Sequence, residues 1–294
     1  MKKQVIIGWL LLMLSLVLPF QISYADAQPG DVIITLGENL TADQQEAIKQ
    51  EMGFQEGDTI VTVSNEEEHK YLGKYISKAQ IGSKAISSAK ITLRESGAGL
   101  NVKTNNISWV TEEMFSNSLI TAGVKDADIY VTAPFEVSGT AGLTGILKAY
   151  EVSGELVIPE EQKQIANEEM VKTAQLGERI GADEATALFT RIKEEIANNP
   201  DLTDAQVSAL IDQIAAELGI QLTDSEKQGL IDLFNKMKNM DIDWNQVKND
   251  LVYVKDRLQE FIQDERTQGI LSNIIDGLIN FLNWLKGLFG AAEA

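Results

Sequence analysis

The sequence predicts an α+β chain, with an α/β arrangement as the close variant: a mixed sheet of about five strands with helices first, then helices alone. Three observations carry this. Short β-branched runs alternate with helical patterns from Asp31 to about Gly154. After Pro159 the strand pattern stops, and apolar residues recur only at helical spacing. The chain contains no cysteine, so no disulfide or thiolate–metal staple supports the fold and burial must hold it.

The first segment reads as a targeting signal. Lys2 and Lys3 precede an apolar run from Val5 to Leu18, Pro19 breaks it, and Ala25-Asp26-Ala27 supplies the small residues a signal peptidase reads. Cleavage is expected after Ala27, with Ala25 as the near alternative. The run is shorter than the ~20 residues a bilayer span needs, which disfavours a retained anchor. Without cysteine no lipoprotein anchor is expected.

In the mixed part, "DVIITL" reads as a strand. "TADQQEAIKQEM" reads as a helix opened by a capping box between Thr41 and Gln44. "DTIVTVS" is a second strand, rich in the residues strands favour. "KAISSAKITLRESGAGLNVKTNNISWV" reads as a hairpin turning at "SGAG". "TEEMFSNSLITAG" is a helix, "ADIYVTAP" a strand and "AGLTGILKAYEVS" a helix.

Helices are then expected at about 160–175, 183–198, 203–218, 223–239, 244–264 and 269–289. "LTDAQVSALIDQIAAELGI" and "LTDSEKQGLIDLFNKMKNM" align without a gap, and each opens with a capping box, Thr203 with Gln206 and Thr223 with Glu226. Two copies make an αα-hairpin, not a solenoid, which needs at least three. The expected division is a signal peptide at 1–27, a mixed-sheet domain at 28–154, a helical region at 155–264 and an amphipathic helix at 265–294.

The strings "GDVIITLGENLT", "EEEHKYLGKYISKAQIGSKAISSAKITL", "AGVKDADIYVTAPFEVSGTAGLTGILKAYE" and "LTDSEKQGLIDLFNKMKNMDIDW" resemble, in that order, the YpuA-like exported proteins of Gram-positive bacteria. That group carries domain of unknown function 1002. The resemblance covers nearly the whole mature chain. It implies an exported, cell-envelope protein and carries over no catalytic residue.

Charge narrows the partners. The formal net charge is −19, and removing Lys2, Lys3 and Asp26 with the signal leaves about −20. No basic run or aromatic–basic interleaving interrupts the field, so nucleic acid is not expected as a partner.

Several short patterns suggest chemistry. "VTAPFEVSGTAGLTGILKAYE" passes from strand through glycines to helix, as phosphate loops do. It lacks the close glycine pair of a dinucleotide fingerprint, and Lys148 falls three residues late for a Walker loop. An anion site at Ser138, Gly139 and Thr140 is what survives. The alternative is packing: Gly142 and Gly145 share one helix face and permit close approach to a strand. His69, the only histidine, stands in "NEEEHKY", which reads as an exposed acidic turn instead of part of a triad, since no G-x-S-x-G elbow accompanies it. "MDIDWNQVKND" starts like a calcium loop, but Gln246 and Val252 stand where glycine and glutamate belong. Asp241 or Asp243 is better read as a helix cap. No metal or cofactor is expected.

The C-terminus carries an amphipathic stripe: Leu271, Ile275, Leu278, Leu282, Leu285 and Phe289, four and three apart. A preceding helix repeats the spacing with Val247, Leu251, Val254, Leu258 and Phe261, and a kink or hairpin is expected at Gly269. Folding back onto the helices, self-association and peripheral membrane contact are the three uses open to the stripe. The third lacks a basic face, having only Lys286 against Asp276. The expected function is that of a non-enzymatic, extracytoplasmic protein that binds another protein or an envelope component. The alternatives are an envelope hydrolase using two carboxylates and an anion- or nucleotide-linked sensor.

Overall fold

A computed structural model of the chain describes residues 28–154 and 157–262. Ala27 and the stripe from Leu271 to Phe289 lie outside these residues. The strands are β1 (Val32–Gly37), β2 (Thr59–Val63), β3 (Ser88–Leu93), β4 (Leu100–Ile107) and β5 (Ala127–Val137). The helices among them are α1 (Ala42–Glu51), α2 (Asn65–Leu72), α3 (Lys78–Ile81), α4 (Glu112–Thr121) and α5 (Thr140–Val152). Then follow α6 (Glu160–Ile180), α7 (Ala182–Asn198), α8 (Asp204–Glu217), α9 (Asp224–Lys238) and α10 (Trp244–Ile262). The α+β class is as the sequence predicts.

The sheet runs β2-β1-β3-β5-β4. β2 is parallel to β1 and β4 to β5, while β3 is antiparallel to both β1 and β5. Four strands therefore point one way, and their carboxyl ends share one edge. This corrects the hairpin reading: β3 and β4 both exist, but β5 lies between them. The turn at "SGAG" does form, with the Ala98 N–H donating to the Glu95 carbonyl at 3.0 Å, but the connection from Arg94 to Gly99 does not join neighbouring strands. It needs to span only two strand spacings, about 10 Å, which is within reach of six residues even with a turn among them.

A second correction concerns "NEEEHKY". It is helical, with Ser64 and Glu67 forming a reciprocal capping box. Its Glu68 is buried.

Each sheet face has its own cover. Ile34 and Leu36 pack with Leu40, Ile48 and Met52 beneath α1. The opposite face meets α5 and α4 in a larger core that continues without interruption into the helical region. Gly142 and Gly145 let α5 approach closely: a Cβ on Gly142 would stand 2.9 Å from Val131, and one on Gly145 2.7 Å from Thr35. Gly139 begins α5 at φ +91, a conformation that glycine takes without strain.

The helices α6 to α10 match the sequence periods, with α6 extending to Ile180. α8 and α9 are neighbours, each opened by its expected box. Asp243 caps α10 by accepting from the backbone N–H groups of Asn245 and Gln246. Val247, Leu251, Val254 and Leu258 are buried, and α10 lies against α7 and α4. No described helix is long and apolar enough to cross a membrane.

Candidate functional site

Ligands of open α/β sheets gather outside the carboxyl ends of parallel strands, where loops leave the sheet in different directions. Here that edge collects Glu38 after β1, Ser64 to Glu68 after β2, Ser108 and Trp109 after β4, and Ser138 to Thr140 after β5. Two structural devices aim these residues. The β4–β5 register shifts between Asn105 and Ile107, and Asn106 adopts φ 58 while its Nδ2 donates to the Ala133 carbonyl at 2.8 Å. That bulge bends the end of β4. The Ser108 N–H then donates to the Val137 carbonyl at 3.0 Å.

The capping box of α2 separates two adjacent carboxylates. Glu67 turns outward and takes hydrogen bonds from the Ser64 N–H at 2.8 Å and from Lys148 at 2.6 Å. Burial pushes its pKa up, but Lys148 and Ser64 outweigh burial and hold it below the usual carboxylate value. Glu68 turns inward and is only 1% exposed. Its Oε2 accepts from Asn65 Nδ2 at 3.0 Å and its Oε1 from Thr140 Oγ1 at 3.1 Å. Burial dominates there, Asn65 and Thr140 oppose it, and nearby Glu38 adds to it, so that the pKa is raised to about 7. Glu38 reaches the same asparagine by accepting its backbone N–H at 2.9 Å.

Thr140 thus joins the start of α5 to one of the chain's own carboxylates. Ser138 Oγ lies 3.3 Å from Thr140 Oγ1. Of the residues marked as an anion site, Ser138 and Thr140 form one hydrogen-bonded path with Glu68, while Gly139 supplies the left-handed turn. A Cβ at Gly139 would meet Ile107 at 2.5 Å, so substitution there would perturb the fold before it reported on any ligand.

Ser138 also lines an open cleft of about 370 Å³ with Gln80, Ser108, Trp109, Glu136 and Glu178. Trp109 Nε1 donates to Glu178 Oε1 at 2.7 Å, which fixes the indole against α6. The cleft offers an aromatic wall, two carboxyl groups, two hydroxyls and one amide. Its volume falls within the range of small-molecule sites. Smaller clefts lie at the opposite sheet edge, beside Arg94, Lys125 and Asp126, and between α6 and α9.

His69 serves the fold. Its Nε2 lies 3.0 Å from the Gly82 carbonyl, so that nitrogen carries the proton, and Nδ1 is buried without a partner among the described residues. Among the described residues no three His, Asp or Glu side chains cluster as metal ligands. Sequence reasoning missed Trp109, Glu136 and Glu178 altogether. Glu68 was the more accessible omission, since the Ser64-x-x-Glu67 spacing marks a helix whose next residue turns away from Glu67.

The family model described as "Protein of unknown function (DUF1002)" matches residues 36–254. The chain is 50% identical over 289 residues to "Uncharacterized protein YpuA" of Bacillus subtilis (strain 168), covering 98% of this chain and 99% of that relative. No solved structure gives a significant match. The chain therefore belongs to the DUF1002 family of proteins of unknown function.

Proposed function

We propose that the protein is exported to the cell envelope, where it acts as a non-enzymatic binding protein whose ligand site is the Trp109 cleft. The basic, apolar and small-residue segments before Gln28 support export. The cleft itself carries the binding reading: a fixed indole stands among hydrogen-bonding groups at the sheet edge where such sites form. The net charge of −19 argues against a nucleic-acid ligand. Self-association or membrane contact through the C-terminal stripe would serve retention at the envelope.

The hydrolase alternative has Glu136 and Glu178 as its carboxyl pair, since both line the cleft. Against it, the raised-pKa carboxyl group linked to the cleft is Glu68, which is buried and held by Asn65 and Thr140. A general acid must reach the bond it cleaves.

The test is a photo-crosslinking residue in place of Ser108, read in intact cells. The reading expects a mature N-terminus at Gln28 and an envelope adduct that disappears on Trp109→Ala. An intact N-terminus on a cytoplasmic protein would refute export. Release of envelope fragments by the purified protein, abolished by Glu136→Gln or Glu178→Gln, would replace binding with hydrolysis.

A further inference from the structure

The path Glu68–Thr140–Ser138 connects a buried carboxyl group to the cleft wall through two hydroxyls. Hydroxyls both donate and accept, so the state of one end fixes the direction of the whole chain. When Glu68 is ionised, Thr140 must donate to Oε1. Thr140 then accepts from Ser138, and Ser138 offers only lone pairs to the cleft. When Glu68 takes up a proton, Asn65 keeps Oε2 as an acceptor, so the proton resides on Oε1. The carboxyl O–H then donates to Thr140, Thr140 donates to Ser138, and Ser138 turns its O–H into the cleft. One proton enters from solvent and two hydroxyls rotate; no covalent bond to carbon changes.

The charged groups around Glu68 leave this path intact. Glu38, from the turn after β1, engages the Asn65 backbone. His69, on the same helix, holds the Gly82 carbonyl. From α5, Lys148 is paired with Glu67, and from α6, Glu160 is paired with Lys70. No cation touches either Glu68 oxygen among the described residues.

Of the cleft's two hydroxyls, Ser108 donates to the Val137 carbonyl, so Ser138 is the one whose direction can change, beside the standing donor of the Gln80 amide. The Trp109 N–H is committed to Glu178, and Glu136 and Glu178 present acceptors to ligand hydroxyls. An indole wall bordered by carboxyl, amide and hydroxyl groups suits a sugar ring: the apolar ring face lies on the aromatic, and the polar edge is hydrogen-bonded. A ligand carbonyl would find its donor in Ser138 only after Glu68 is protonated.

We propose that the cleft takes an acetamido sugar, and that its capture is proton-linked because Ser138 donates to the ligand carbonyl only when Glu68, acting through Thr140, carries a proton. This rests on the reading of the cleft as the binding site.

The experiment is calorimetric titration of the mature chain with a tetramer of N-acetylglucosamine, which has no titrating group between pH 5.5 and 8.5. Binding should be about tenfold tighter at pH 5.5 than at pH 8.5, as expected for one well-made hydrogen bond. Ser138→Ala should remove the difference by weakening the low-pH binding. Glu68→Gln should bind with one affinity at both pH values. Should that buried substitution compromise folding, Ser138→Ala at the cleft wall still decides the matter. Equal wild-type affinity at both pH values would overturn the proton linkage and leave the cleft as a site. Tighter binding of the deacetylated, ammonium-bearing tetramer at pH 5.5 would overturn the acetamido assignment. No binding at either pH, or binding indifferent to Trp109→Ala, would defeat the cleft reading itself.

Discussion

Lys193 and Glu169 meet at 2.5 Å in the heart of the helical region, with neither side chain reaching solvent. Burial pushes the Glu169 pKa up and the Lys193 pKa down, and each is pulled back by the other's charge. Lys193 also donates to the Asn117 carbonyl at 2.7 Å, and Thr121 donates to Glu169 at 2.5 Å. The pair therefore joins α6 and α7 to α4, which packs on the sheet.

Breaking that pair singly should be costly, because each substitution strands the other charge. Lys193→Ala or Glu169→Ala is expected to lose about 3–5 kcal/mol in urea denaturation. The double variant Lys193→Met, Glu169→Leu should lie closer to wild type than either single change. A double variant as unstable as the sum of the singles would mean that the two residues act independently.

Glu68 sets a pH dependence of opposite sign to the usual buried salt bridge. Its folded pKa of about 7 lies above the ordinary carboxylate value, so the folded state holds the proton more tightly than the unfolded chain does. Its contribution to stability is full below the unfolded value and is lost as pH rises through about 7. The loss should be roughly 3 kcal/mol from this one group. Glu68→Gln should flatten the stability profile between pH 5 and 8, as read by thermal melts. An unchanged slope would remove Glu68 as its source.

The close approach of α5 to the sheet can be tested at its glycines. Gly145→Ala would place a Cβ 2.7 Å from Thr35 Oγ1, and Gly142→Ala one 2.9 Å from Val131. Each should cost about 1–3 kcal/mol through overpacking. Alanine normally favours a helix over glycine, so a gain in melting temperature would show that α5 can move away from the sheet.

The cap of α9 does two jobs. Thr223 accepts the Glu226 N–H, while the Glu226 carboxylate takes two hydrogen bonds from Arg179 of α6. Thr223→Ala should cost about 1 kcal/mol. Arg179→Ala should cost less, because that pair is partly exposed. The reverse order in chemical denaturation would place the tie between α6 and α9 above the cap in importance.

Local rules carried most of the fold. The boxes at Thr41, Thr203 and Thr223 need residues only three apart, and all three form. The same spacing occurs at Ser64–Glu67 and Ser77–Gln80, but the helices they open are eight and four residues long, too short for a hydrophobic period to show. The position of β5 between β3 and β4 could not be read in this way. Pairing partners across a sheet are chosen by long-range packing, and both a hairpin and the observed order suit the same alternating residues. The cleft was hidden for a related reason. Gln80, Ser108, Glu136 and Glu178 come from four separate parts of the chain, and no short string contains them. What a single string does contain, the glycine spacing of α5, was readable as packing.

The insertion of β5 between two earlier strands also orders events in time. A chain emerging from its amino end can pair β1 with β2 and lay β3 against β1 at once. β4 is complete by residue 107, yet among the described residues its partner is β5, which ends only at Val137. Until then β3 and β4 each present an unpaired backbone edge, the kind of template on which chains associate wrongly. α4, made in the interval, is rich in side chains that are buried in the finished protein. β5 is thus the keystone strand: its arrival closes both edges in one step and aligns Ser138 with the loop after β4. Chains truncated between residues 107 and 127 should therefore aggregate more readily than chains ending at residue 154.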